Sequence, residues 1–182
     1  MVDWTTISLA EPAAGGKGNC VNHRLIRHFR GPRVCSAAVG DVVFNLYLGT
    51  PTCHDLDMLF AAQREQHAQR GRRLGVLSVS EPGITLPPGE VRRYAAELNA
   101  DVESIVAVSA TVVAGGGFWL SAALSMVNTV LLIGATKRPN RIYRELDQGV
   151  DWIAGHLEGT DAEVVHAEFC KWRTEQVVPL AA

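Results

Sequence analysis

Excess charge of either sign is absent from this sequence. Seventeen Lys and Arg stand against nineteen Asp and Glu, a formal net charge of -2. Nothing global therefore points to a nucleic acid or an anionic membrane surface. The spacings that announce common chemistries are missing too. The four cysteines, Cys20, Cys35, Cys53 and Cys170, form no CxxC and no disulfide-dense pattern. The six histidines, His23, His28, His54, His67, His156 and His166, form no HExxH or other recognised ligand pair, and there is no GxSxG. No cofactor and no metal is expected. Cys53-His54 is the one Cys/His arrangement to weigh; adjacent side chains diverge, so an ordinary capping turn is favoured over a reactive thiol. The opening stretch "MVDWTTISLAEPAAGGKGN" carries acid early and lacks a basic segment followed by an apolar run. That argues against a secretory signal and predicts a cytoplasmic protein with reduced thiols.

What is present is an ordinary globular balance. The chain has 182 residues, 47% apolar and 20% charged, which suits one domain with extensions. Its most unusual segment runs from Ser104 to Thr136 without a charged residue and holds three consecutive glycines, Gly115, Gly116 and Gly117. A membrane span needs about 20 predominantly apolar residues. The window Phe118 to Ala135 contains Ser121, Ser125, Asn128 and Thr129, and upstream extension meets the glycines. No membrane span is expected. The run divides instead into a Val- and Ile-rich strand at Ile105–Val113, a glycine turn, a helix at Phe118–Asn128 and a short strand at Val130–Ile133. "AGGGFW" is neither GxGxxG nor GxxxxGK[ST], so a tight turn is favoured over a phosphate cradle.

Elsewhere the pattern alternates strand and helix. Residues 1–33 have the composition of an extension; within it Arg24, Arg27, Arg30 and Arg33 recur at three-residue spacing and would share one helix face. A solvated face is favoured there over a partner contact. "VCSAAVG-DVVFNLYLG" reads as two strands joined at Gly40-Asp41. Thr52 is the expected N-cap of a helix that Gly71 ends. Leu74–Ser80 is a strand, "EPGITLPPG" a loop, and "EVRRYAAELNAD" a helix. "TKRPNRIY" is read as a connection to a helix with stripe residues Leu146, Val150, Ile153 and Leu157. A C-terminal helix follows, with Val164, Val165, Phe169 and Trp172 apolar. The order β-β-α-β-α-β-α-β-α, plus the C-terminal helix, predicts an α/β fold: a mixed β-sheet with helices packed on it.

Three stretches carry a resemblance to a known superfamily: "DVVFNLYLG" with the helix after it, "GFWLSAALSMVNTVLL", and "RPNRIYRELDQGVDWI", where Gly149 takes the small position ahead of Trp152 and Ile153. They resemble the STAS domain superfamily, and more narrowly its SpoIIAA-like group and small bacterial STAS-like proteins. The match covers about residues 34–158, leaving 1–33 as an N-terminal extension and 159–182 as a C-terminal helical tail. The resemblance implies a non-enzymatic regulatory or scaffolding domain of a bacterium, switched in its relatives by phosphorylation of a Ser or Thr in a D-S-S-G-like loop. Here that loop is "ITLPPGEV", with Pro87 and Pro88 where the serines would stand. The usual phosphoacceptor is absent, and Ser80 and Thr85 are the nearby hydroxyls that remain as regulatory candidates.

Two functions of different class are open. A protein-interaction module would dock to another protein, or to itself as a homo-oligomer, through an exposed apolar patch at Phe169 and Trp172 or a contact made by Arg24, Arg27 and Arg30. A small-molecule or lipid-binding protein would instead hold an apolar ligand beside the third helix, at Gly115, Gly116, Gly117, Phe118 and Trp119. Basic residues near 64–73 are interrupted by Glu65 and not interleaved with aromatics, so no nucleic-acid partner is expected.

Overall fold

The structure, a computed structural model, describes residues 24–113 and 137–177. Among these, six strands form one mixed sheet whose spatial order equals their chain order: β1 (Ile26–Arg30), β2 (Val34–Val39), β3 (Val42–Tyr47), β4 (Leu74–Ser80), β5 (Val106–Val113) and β6 (Asn140–Tyr143). The first two pairings are antiparallel and the remaining three parallel. Tight hairpins make the first kind, and crossover connections the second. Helices α1 (Cys53–Arg70) and α2 (Gly89–Asp101) cover one face; α3 (Leu146–Ala154) and α4 (Ala162–Val177) cover the other. This is the α/β mixed sheet that the alternation of elements predicts.

Helix α1 forms where its caps dictate. The Thr52 hydroxyl accepts from the Asp55 backbone N–H at 3.3 Å, and the Asp55 carboxylate accepts from the Thr52 N–H at 2.8 Å, a reciprocal capping box. At the other end Gly71 adopts φ 65 and its N–H reaches the His67 carbonyl. A left-handed residue there closes the last turn at no Cβ cost. Among the described residues no helix is long and apolar enough to cross a membrane.

Two strands lie where the sequence suggests none. Ile26–Arg30, part of the expected extension, is β1, paired with β2 through a bulge between Arg27 and Phe29. Asn140–Tyr143, read as a connection, is β6, paired with β5 from Ser109↔Asn140 to Val112↔Tyr143. Among the described residues both are edge strands, which carry charged side chains toward solvent and so lose the apolar alternation of inner strands. The expected glycine turn, the helix at 118–128 and the strand at 130–133 lie outside the described residues.

The C-terminal stretch taken as a tail is part of the core. Phe169 and Trp172 are 0% and 1% exposed and pack against Phe44 of β3, the first edge-to-face, with ring centroids 5.2 and 6.1 Å away. They are therefore not the exposed apolar patch expected of an interaction module. A long helix needs a buried stripe, and here the sheet supplies the surface that buries it.

Candidate ligand pocket

The two faces of the sheet differ in chemistry. Facing α3 and α4, the central strands present Cys35, Ala37, Phe44, Leu46, Leu77, Val79, Ala110 and Val112, all within one apolar cluster. Facing α1 and α2, the register sets Ser36 opposite Asn45, Asn45 opposite Ser78, and Ser78 opposite Thr111. A polar row thus crosses four adjacent strands. One step along, Ser109 lies opposite Asn140. Ser36, Asn45 and Ser109 are buried. Strands covered on both faces normally read as continuous Val, Ile and Leu, and an inward hydroxyl or amide costs free energy unless a hydrogen bond offsets it. The bond between Ser36 and Asn45 spans 3.4 Å, long for a hydroxyl donor.

Above this row α1 and α2 do not close onto the sheet. They leave a pocket of about 160 Å³, floored by Asn45, Ser78, Ser109 and Thr111 and walled by Leu56 and Phe60 of α1 and Val91 and Ala95 of α2. Its rim comes from Pro51, Ile84, Thr85 and Pro87, in the loops that follow β3 and β4. Open α/β sheets bind ligands at this end, beyond the carboxyl ends of their parallel strands.

Polar groups stand at both ends of the pocket. Near the rim, Arg92 belongs to the first turns of α2, a helix whose N-cap, Pro88, offers no side-chain bond. At the far end Arg138 is held by Glu103, its Nη1 donating to Oε2 at 2.6 Å, and by Asn99, its Nη2 donating to Oδ1 at 2.6 Å. Burial pulls the Arg138 guanidinium below its ordinary range, with Glu103 offsetting part of the fall. Burial also pushes the Glu103 carboxyl upward, but the Lys137 and Arg138 backbone N–H groups and the Arg138 charge outweigh it, leaving Glu103 below its usual value. Beside them Asn140 Nδ2 donates to Ser109 Oγ at 2.5 Å. Tyr47 lines the pocket as a neutral phenol: burial pushes it up to about 12, a Ser78 hydrogen bond offsetting a little.

Buried polar atoms in proteins nearly always have a partner, so exceptions are informative. Among the described residues five buried side-chain polar atoms have none, and three of them, Arg92 Nε, Arg138 Nε and Asn140 Oδ1, belong to residues lining this pocket.

The residues singled out from sequence are dispersed. Arg27 pairs with Glu175 of α4 at 2.6 Å, Arg33 with Asp55 of α1 at 2.7 Å, and Arg24 and Arg30 are exposed, so the arginines share no face. A strand places successive side chains on opposite sides, which breaks the helical spacing. Ser80 and Thr85 do come together, both on the pocket lining, with the Thr85 hydroxyl 2.5 Å from that of Thr50. Gly115, Gly116, Gly117, Phe118 and Trp119 lie outside the described residues. His54 is exposed and Cys53 half-buried at the start of α1. Among the described residues no three His, Cys, Asp or Glu side chains come together as a metal site. Sequence reasoning missed Arg92, Arg138, Asn140 and the polar row. The polar letters within "LGVLSVS" and "VAVSATVV" were the available signal, but only strand register shows that they align.

Fold and site together define an α/β protein with a mixed sheet and a polar-floored pocket beneath two of its helices. No family model matches the chain, and no curated protein matches it. Among solved structures it is similar to an uncharacterized protein of the DUF3478 family with a SpoIIAA-like fold from Shewanella loihica PV-4, at 12% identity and a TM-score of 0.48, covering 76% of this chain and 99% of that one. That fold name is the one the sequence resemblance carries; the architecture is read from this chain's own strands.

Proposed function

We propose that this protein binds a small molecule in the pocket between the polar face of the sheet and helices α1 and α2. The observation that carries this reading is the row Ser36–Asn45–Ser78–Thr111, which spends polar residues on a face that apolar ones would stabilise better. Mixed pockets of this kind, apolar walls with a few convergent polar groups, are where proteins hold ligands. The described lining supplies hydroxyls, amides and guanidinium groups but no carboxylate, imidazole or thiol, which supports binding rather than acid–base or nucleophilic turnover. The docking reading has less support: among the described residues the exposed large apolar side chains are Leu86 and Val177, on separate elements.

Fragment screening by amide NMR on wild type and Thr111→Val tests the proposal. Shifts should cluster at Ser78, Arg92, Thr111 and Asn140, and Thr111→Val should weaken the hits while leaving stability within about 0.5 kcal/mol of wild type or above it, since it replaces a hydroxyl by a methyl of similar shape. Hits scattered away from the pocket would sink the proposal. So would a Thr111→Val protein destabilised by more than about 1 kcal/mol, because the hydroxyl would then be structural.

A further inference from the structure

The charge around the pocket narrows the ligand. Of its two guanidinium groups, Arg138 is already neutralised: Glu103 and Asn99 bond its two Nη groups, and its buried Nε–H has no partner. Arg92 is different. Among the described residues its side chain has no hydrogen bond and no ion pair, its Nε is buried without a partner, and no Asp or Glu shares the lining with it. It also sits at the positive end of α2. A partly buried cation without a counter-charge costs free energy that an anionic partner recovers. The guanidinium fork matches a carboxylate through two parallel N–H···O bonds. One uncompensated positive charge calls for a monoanion rather than a phosphate dianion.

Size and spacing constrain the remainder. A cavity of about 150 Å³ holds one benzene ring, and this one measures about 160 Å³. Arg92 and Asn99 both line the pocket from α2, and seven residues of helix separate them by about 10 Å. Arg138 and Asn140 stand at the Asn99 end. There Asn140 Oδ1 lacks a donor and Arg138 Nε–H lacks an acceptor, and one hydroxyl can satisfy both.

Resting on the binding reading above, we infer that the ligand class is a small organic acid: a carboxylate on Arg92, a single-ring or equivalent apolar body over the Ser78–Thr111 floor, and a hydroxyl at the far end between Asn140 and Arg138. The test is calorimetric titration of the full chain with 3-(4-hydroxyphenyl)propionate, its amide, the 3-phenyl analogue without the hydroxyl, tyramine and phenyl phosphate. The hydroxy acid should bind about tenfold or more tighter than its amide, as expected for one charge-assisted bidentate pair. Arg92→Gln should erase that ratio and Arg92→Lys keep part of it. Removing the hydroxyl should weaken binding several-fold in wild type and not in Asn140→Ala. An amide as tight as the acid, tyramine or phenyl phosphate as the tightest, or a ratio unmoved by Arg92→Gln, would each overturn the acid assignment while leaving the pocket as a binding site. If none of the five compounds binds at millimolar concentration and fragment screening also leaves the pocket silent, the binding reading itself falls.

Discussion

Thr111 occupies a position in a parallel strand, covered by helices, where valine or isoleucine is the usual choice. Its neighbours Ser78, Asn45 and Ser36 repeat the choice across the sheet, while the residues one step away on the opposite face are apolar without exception from Cys35 to Val112. Asp55 shows the contrary use of a buried polar group. It is 2% exposed, yet the Arg33 guanidinium, the Thr52 N–H and the Thr52 hydroxyl all bond its carboxylate. Burial alone would raise this carboxyl; the three donors outweigh it and hold the group below its ordinary value. A depressed carboxyl contributes stability above its unfolded value, about 4, and loses it as pH falls through the folded value. Asp55→Asn is therefore expected to lower stability near neutral pH by about 1–2 kcal/mol, because the bonds from Arg33 and Thr52 lose their charged acceptor. The gap from wild type should shrink below about pH 4, measured as thermal midpoints across a pH series. A gap that persists unchanged at low pH would refute the carboxylate's role.

At the scale of elements, helix α3 lies unusually close to the sheet because glycine stands on both sides of the contact. A Cβ on Gly75 of β4 would meet Ile153 Cγ2 at 2.5 Å and Leu157 Cδ1 at 2.7 Å, and one on Gly149 of α3 would meet Val112 Cγ2 at 2.9 Å. Gly75→Ala should destabilise the protein by about 1–3 kcal/mol through overpacking. Combined with Leu157→Ala, which vacates part of the same space, the total should be less than the sum of the two single losses in denaturant titrations. Additive losses would mean that α3 does not press on β4 in the way described. The same scale explains what the sequence concealed. Helix α1 was legible because Thr52, Asp55 and Gly71 are local signals that act within one turn. Strands β1 and β6 were not, because their charged side chains break the apolar alternation, and β6 also takes its identity from β5, about thirty residues back in the chain.

For the whole molecule, the stability of the α3–α4 face depends on its last helix. Trp172 and Phe169 complete the aromatic cluster on Phe44, and Arg173 anchors the helix to Glu81 after β4 through two hydrogen bonds. Deleting residues 160–182 would expose Phe44 and the central strands, removing at least the roughly 3–5 kcal/mol attached to one large buried aromatic, a large share of a domain's usual margin of about 5–15 kcal/mol. Such a chain should be unfolded or aggregated by circular dichroism and light scattering; a soluble, cooperatively melting product would show that α4 is dispensable.

The sequence by itself determined the alternation of strands and helices, the caps of α1, the mixed α/β class and the absence of familiar catalytic spacings, since all of these are written in periodicity and in residues a few positions apart. Only the tertiary structure decided that Phe169 and Trp172 belong to the core, that the arginines of β1 part ways, and that Ser36, Asn45, Ser78 and Thr111 form one row beneath a pocket carrying an Arg92 whose side chain is unpaired among the described residues. Those facts depend on strand register and on which face a helix covers, and both are set by contacts between residues far apart in the chain, whose free energies no local pattern records.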